Sequence, residues 1–225
     1  FFFFYYFEVL LKMDVDLILW DWNGTLIDDS SLCVSILNEI LSEYGKNSVD
    51  VCFYRKNFCF PVSAFYRLIS LPYDGVEFNT VSATFISKYR KYWKKAMLQP
   101  GASFVLQTIH QHGIEQSILS AGKQEDVDRF ILHHNLANYF TSVNGTNNIR
   151  AEGKLNVGLE VVRKYECKPS KILLVGDTLH DLEIGNTIGC RTLLYTKGHN
   201  HSSVFKSSNG ETIDKLEDIL NLVIH

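Results

Sequence analysis

The segment Val15-Asp16-Leu17-Ile18-Leu19-Trp20-Asp21-Trp22-Asn23-Gly24-Thr25-Leu26 decides the fold. A short apolar run, Val15–Trp20, stops at a carboxylate, Asp21, and a turn bearing Gly24 follows. Three later runs have the same form: Gln116–Leu119 ends at Ser120, Lys171–Val175 ends at Gly176-Asp177, and Arg191–Tyr195 ends near Thr196. Runs this short, rich in leucine and β-branched residues, suit strands buried on both faces of a parallel sheet.

Helical patterns separate the runs. Ser103–His112 precedes the second, Gln124–Asn135 follows it, Leu155–Tyr165 leads to the third and Asp181–Ile188 to the fourth. Strands alternating with helices predict an α/β core, a Rossmann-like, doubly wound parallel sheet. Ligands of such sheets bind beyond the carboxyl ends of the strands, the edge where Asp21, Ser120 and Asp177 fall. Residues 29–96 break the alternation, with apolar residues at helical spacing (Cys33, Ile36, Leu37, Ile40, Leu41) and a last helix-like run over Ser82–Met97. They are expected to form a mostly helical insertion, and Pro100-Gly101 marks the return to the core. The core is then expected over 13–28 and 97–225.

The chain has 225 residues, 46% hydrophobic and 21% charged, with a formal net charge of −3. Apolar residues are too plentiful for a disordered chain, and the mildly acidic balance argues against a nucleic-acid partner. Five cysteines (Cys33, Cys52, Cys59, Cys167, Cys190) form no C-x-x-C pair, which points to a reducing, cytoplasmic setting rather than a disulfide framework or zinc knuckle. Residues 1–7 read FFFFYYF, but Glu8 and Lys12 break the stretch. It is too short to span a bilayer and has no basic region of a secretory signal before it. Residues 1–12 are expected to lie upstream of the fold, with Met13 directly before the first strand; a membrane-surface anchor is the competing reading.

Asp21-Trp22-Asn23-Gly24-Thr25-Leu26 resembles the first motif of the haloacid dehalogenase-like superfamily, D-x-D-G-T-L/V. Three further matches follow in order: Ser120, Lys154 within Ala-Glu-Gly-Lys, and Gly176-Asp177-Thr178-Leu179-His180-Asp181. The resemblance covers residues 14–225 and is greatest to the phosphoglycolate-phosphatase branch. It implies a Mg²⁺-dependent hydrolase acting on a small phosphorylated substrate, with the insertion over 29–96 as a helical cap above the active site.

Each position has a physical reason to serve that chemistry. The Asp21 carboxylate can attack phosphorus and split one hard step into two. Gly24 lets the backbone approach a phosphoryl group, and Thr25 offers a hydroxyl and an amide. Ser120, with Ala121 beside it, and Lys154 can hold and neutralise the phosphoryl oxygens. Asp21, Asp177 and Asp181 offer hard oxygen ligands for Mg²⁺, and the family pattern adds the main-chain carbonyl of Asn23.

Asn23 departs from that pattern, which places a second aspartate there to protonate the leaving group and then deprotonate water. An asparagine cannot shuttle a proton near neutral pH. The resemblance therefore allows two outcomes: a phosphatase slowed by the lost acid–base group and suited to good leaving groups, or a phosphate-binding regulatory protein with little turnover. Dehalogenases of the superfamily carry an aromatic residue at this position, so Asn23 with an acidic fourth motif favours phosphoryl chemistry. His180 is the histidine nearest the motifs and a candidate substitute proton carrier. His199 and His201, in Gly-His-Asn-His, are expected in a surface loop, Lys88–Lys95 on a solvated helix face, and Phe58, Phe60, Phe65 and Tyr66 in the cap core, with a substrate pocket as the alternative for these aromatics.

Overall fold

A computed structural model of the protein describes residues 13–148, 153–166 and 168–224; the expectations for residues 1–12 and for Cys167 lie outside them. The chain begins with β1 (Leu17–Trp20) and β2 (Ile27–Asp28), and then four helices follow: α1 (Ser30–Glu43), α2 (Val51–Asn57), α3 (Val62–Leu68) and α4 (Gly75–Tyr92). A short strand, β3 (Met97–Leu98), closes this insertion. The second half alternates: α5 (Ala102–Gln111), β4 (Glu115–Lys123), α6 (Gln124–His133), β5 (Ser142–Thr146), α7 (Lys154–Tyr165), β6 (Ile172–Gly176), α8 (Leu179–Ile188) and β7 (Arg191–Tyr195). It ends with α9 (Ser202–Phe205), β8 (Glu211–Ile213) and α10 (Asp218–Val223).

Six strands form one sheet in the order β5-β4-β1-β6-β7-β8, every pairing parallel. The central strand β1 is buried throughout. Because alternate side chains point to opposite faces, Ile18 and Trp20 enter the apolar cluster shared with the insertion, while Leu17 and Leu19 enter the one beneath α7 and α8. One polar residue in this core is satisfied locally: Gln116 accepts from Trp20 Nε1 at 3.1 Å and donates to the Leu106 carbonyl at 3.0 Å. Among the described residues no helix is long and apolar enough to cross a membrane.

The α/β core with a helical cap after the first strand is as expected, and the differences lie at edges. The second strand runs on through Ser120 to Lys123, with a register irregularity after Leu119. Edge strands β5 and β8 carry half-exposed, partly polar sequences, SVNGT and ETI, whose pattern does not announce a buried strand. The last cap helix occupies Gly75–Tyr92 rather than Ser82–Met97, because Met97-Leu98 pairs instead with Ile27-Asp28.

That antiparallel pair sets the cap above the motifs. Ile27 faces Leu98 and Asp28 faces Met97, so the chain leaves and rejoins the core at neighbouring positions. Gln99 then donates to the Gly24 carbonyl at 2.9 Å and accepts from Tyr195 Oη at 3.2 Å, tying the return to the first motif.

Candidate active site

Asp21 follows β1, Ser120 lies in the irregular end of β4, and Asp177 follows β6, so three loops meet at one edge of the sheet. Asp21, Asp177 and Asp181 offer carboxylate oxygens within 4.8 Å of one another, all buried. Lys154, the first residue of α7, reaches into them: its Nζ donates to Asp21 Oδ1 and, at 2.5 Å, to Asp181 Oδ1. Asp181 sits in the first turn of α8, where the backbone N–H and hydroxyl of Thr178 donate to its other oxygen at 3.0 and 2.7 Å. Gly24 has φ +82, and a side chain there would collide with the Asp177 carboxylate, so only glycine lets the loop pass.

The electrostatics follow from burial. Desolvation, which outweighs the Lys154 ammonium, raises the Asp21 carboxyl well above its usual range, and the neighbouring Asp181 and Asp177 charges add to it. Burial likewise lifts Asp177 to about 6 against the His199 charge. Burial opposes the ionised form of Asp181 as well, but Lys154 and the Thr178 hydrogen bonds win and hold it low. Lys154 pays burial too, yet Asp181 and Asp21 together raise it above the usual lysine range. Four buried carboxylates, Asp21, Asp29, Asp177 and Asp181, thus face two buried cations, Lys154 and His199. A negative excess of hard oxygen donors in a closed site fits a divalent cation such as Mg²⁺.

The candidates from sequence occupy different layers. Ser120, Ala121, Lys154, Asp21 and Asn23 line a cavity of about 190 Å³ beneath the cap, with Asp177 and Asp181 at the same end. The Ser120 Oγ accepts from the Gly122 N–H at 3.0 Å. Gly24 and Thr25 are not among the cavity walls. The Thr25 hydroxyl donates instead to Asp177 Oδ1 at 2.9 Å, which fixes that carboxylate.

Sequence reasoning missed a second cluster. Asp29 is fully buried and accepts from Asn23 Nδ2 (2.7 Å), Tyr89 Oη (2.7 Å) and the Gly24 N–H (3.0 Å). His199 lies 3.2 Å from Asp29 Oδ1 through Nε2, and its Nδ1 is 2.9 Å from Tyr54 Oη. The surface-loop expectation for His199 is therefore corrected: it is buried, whereas His201 caps the short α9 from the protein's periphery. The loop is covered because α2 of the cap docks on it, with the Arg55 guanidinium donating to the Thr196 carbonyl (2.6 Å) and Asn200 donating to the Phe58 carbonyl (2.8 Å). A signal was present: His199 follows a fourth parallel run, at the same strand edge as Asp21 and Asp177.

Burial disfavours charge on His199, but Asp29, with Asp177 and Asp21 behind it, pushes the ring up to about 9. Burial opposes the Asp29 anion in turn, and the His199 charge with its hydrogen bonds holds that carboxyl below its usual range. Asp29, Cys33 and His199 also bring donor atoms within 4.8 Å of one another. They fit a metal less well than the carboxylate triad, since Asp29 is already fully hydrogen-bonded and burial pushes the Cys33 thiol far above thiolate range.

The cap supplies the walls. Phe65 and Tyr66, with the partly buried Phe58, belong to the cap core, and Phe60 packs on Phe58 outside it; all four line the cavity. Within 88–95, Lys88 pairs with Glu39 and Glu43 on α1, and Arg90 is held by Asp126 through bonds of 2.7–3.0 Å. His180 lines the cavity with its ring 4.8 Å from Phe60.

The sequence profile of the haloacid dehalogenase-like hydrolase family matches residues 18–195. The phosphoglycolate phosphatase of Vibrio parahaemolyticus is 27% identical over 128 residues, which are 56% of this chain and 56% of that protein. The chain thus spans just over half the length of the curated relatives it matches. Among solved structures, a predicted phosphoglycolate phosphatase from Haemophilus somnus superposes with a TM-score of 0.75 at 18% identity, covering 92% of this chain and 97% of that one. A haloacid dehalogenase-like family hydrolase from Streptococcus pneumoniae gives 0.73 at 19% identity, covering 92% and 97%. At these identities the two structures speak for the fold.

Proposed function

The chain belongs to the haloacid dehalogenase-like hydrolase family, and on that premise we propose that it is a Mg²⁺-dependent phosphatase that hydrolyses a small phosphorylated substrate through a phospho-aspartate at Asp21. The observation that carries this reading is Lys154 Nζ bonded at once to Asp21 and Asp181 at the polar end of a cavity that lies between core and cap. The phosphoglycolate-phosphatase relatives favour the same branch of chemistry.

Each residue then has a task. Asp21 attacks phosphorus, and its buried position keeps water from competing for the carboxylate. Lys154, with Ser120 and the Ala121 backbone on the same cavity, neutralises and orients the phosphoryl oxygens. Asp21, Asp177, Asp181 and the Asn23 carbonyl would hold Mg²⁺. Bound there, the ion supplies charge neutralisation that lets a nucleophilic carboxylate and a phosphate dianion share one site. Thr25 and Thr178 position Asp177 and Asp181 through the hydrogen bonds described above.

The test is turnover of a mixed phosphoester and acyl-phosphate panel with Mg²⁺, together with mass spectrometry of acid-quenched protein. Wild type is expected to release phosphate and to carry a phosphoryl group on Asp21, and Asp21→Asn is expected to do neither. Phosphate release that persists in Asp21→Asn overturns the mechanism. A wild type that binds phosphate mimics with Mg²⁺ but turns nothing over is the regulatory alternative.

A further inference from the structure

The cavity that ends at Asp21 carries a cluster of aromatic rings on its apolar side. Phe58, Phe60, Phe65 and Phe85 come from the cap, and Phe130 comes from α6. Phe58 stands edge to face with Phe60 and with Phe65, ring centres 5.4 and 5.5 Å apart, a geometry that a further flat ring can also adopt. Its volume, about 190 Å³ with the carboxylate end included, is comparable to the roughly 150 Å³ apolar cavity that holds one benzene molecule, so beside a phosphoryl group there is room for one small ring and no more. The charged side chains near these walls are already paired: Arg90 to Asp126, Lys123 to Glu125 and His199 to Asp29. Among the described residues, no unpaired cation at the apolar end awaits a second anionic group on the substrate.

Asn23 adds an independent constraint. A primary amide has two donor hydrogens, and both are engaged here, to Asp29 Oδ2 at 2.7 Å and to Tyr89 Oη at 2.9 Å. Residue 23 therefore offers a leaving oxygen neither an acid nor a free donor. A leaving group that departs as a stable anion does not need one. Phenols ionise near 10, whereas an aliphatic alcohol resembles water, near 16.

We propose that the substrate is a small monoaryl phosphate, with its phosphoryl group at Asp21 and Lys154 and a single aromatic ring among the cap phenylalanines. This rests on the phosphatase reading above. In the first step an Asp21 oxygen bonds to phosphorus, the aryl O–P bond breaks, and the phenolate leaves with the bonding pair and takes its proton from water. In the second step water adds to the phospho-aspartate, which releases inorganic phosphate and restores the carboxylate.

Two measurements on the full chain test this. The first compares kcat/KM with Mg²⁺ for phenyl phosphate, cyclohexyl phosphate of similar shape, phosphoglycolate and acetyl phosphate. Phenyl phosphate is expected to exceed cyclohexyl phosphate by about 100-fold or more and to exceed phosphoglycolate. The second compares the affinities of phenylphosphonate and methylphosphonate by calorimetry. Phenylphosphonate is expected to bind roughly 10- to 100-fold more tightly, and Phe60→Ala and Phe85→Leu each shrink that ratio. Phosphoglycolate or acetyl phosphate turned over while phenyl phosphate is not overturns the aryl assignment and leaves the phosphatase reading standing. Equal phosphonate affinities overturn the ring site whatever the turnover. No turnover of any compound with the phosphonate preference intact overturns the phosphatase reading and supports the ring site.

Discussion

The Asn23 side-chain amide donates to Asp29 Oδ2 at 2.7 Å. Where the phosphatase motif of the family places a second aspartate, this chain has the hydrogen-bond donor of a buried carboxylate six residues further on. Asparagine at residue 23 and aspartate at residue 29 are therefore one unit, and changing either alone leaves the other mismatched.

Restoring the motif with Asn23→Asp alone would set two carboxylates in contact in a buried site, where one must hold a proton. The single substitution is expected to cost roughly 1–3 kcal/mol of stability and to gain little activity. The pair Asn23→Asp with Asp29→Asn relieves that contact but gives up the Asp29–His199 ion pair, so it is expected to recover only part of the stability and to raise turnover of alkyl phosphates about 100-fold. Urea unfolding and initial rates on the three proteins measure both effects, and an additive double mutant would show the two sites to be independent.

Lys154→Met removes the cation between Asp21 and Asp181. Uncompensated buried carboxylates should cost about 3–5 kcal/mol, part of which Mg²⁺ restores by binding the same oxygens. Unfolding with Mg²⁺ and with chelator should therefore differ more for this variant than for wild type. Its turnover is expected to fall by about 100-fold or more.

The His199–Asp29 pair gives stability a pH dependence. Because the folded-state His199 is raised to about 9 from about 6.5 in the unfolded chain, the folded state binds the proton more tightly. Its contribution is complete below about pH 6.5 and is lost as the pH rises through about 9. In chelator, wild type should lose on the order of 2–4 kcal/mol across that window, and His199→Gln should show a flatter profile. Asp177, raised to about 6, acts at lower pH and does not obscure it.

Arg90 on the cap helix α4 grips Asp126 at the start of α6 through Nε and Nη2, which together reach both carboxylate oxygens. Asp126 is nearly buried while Arg90 is partly exposed, so a double-mutant cycle should give about 1 kcal/mol of coupling. Arg90→Ala should speed hydrogen exchange in α4 several-fold with little change in β1 and β6. Uniform exchange across cap and core would show that this contact does not latch them.

The sheet was legible because its interior strands are buried on both faces and end in residues of unusual chemistry, Asp21, Ser120 and Asp177. The edge strands Ser142–Thr146 and Glu211–Ile213 were not, since a half-covered strand needs no apolar run. Asp29 was hidden for a different reason. An aspartate before a helix reads as an N-cap, and it does precede α1, but it makes no capping bond there and spends its oxygens on Asn23, Tyr89 and Gly24. His199 sits between glycine and asparagine, a composition typical of solvated loops. Only the docking of α2, a long-range contact that no local pattern encodes, buries it.

The pairing of Ile27-Asp28 with Leu98-Met97 bears on how such a protein can change over time. Paired strands lie about 5 Å apart, so the inserted helices hang from two adjacent threads. Apart from Asp29, Tyr54 and Tyr89, which reach down to Asn23, Gly24 and His199, the stretch between them can lengthen or shorten without shifting the parallel strands that aim Asp21 and Asp177. Chemistry and selectivity thus reside in parts of the chain that can be inherited separately. A chimera in which the inserted helices are exchanged between relatives while Asp29, Tyr54 and Tyr89 are kept is the natural object in which to watch one vary while the other stays fixed.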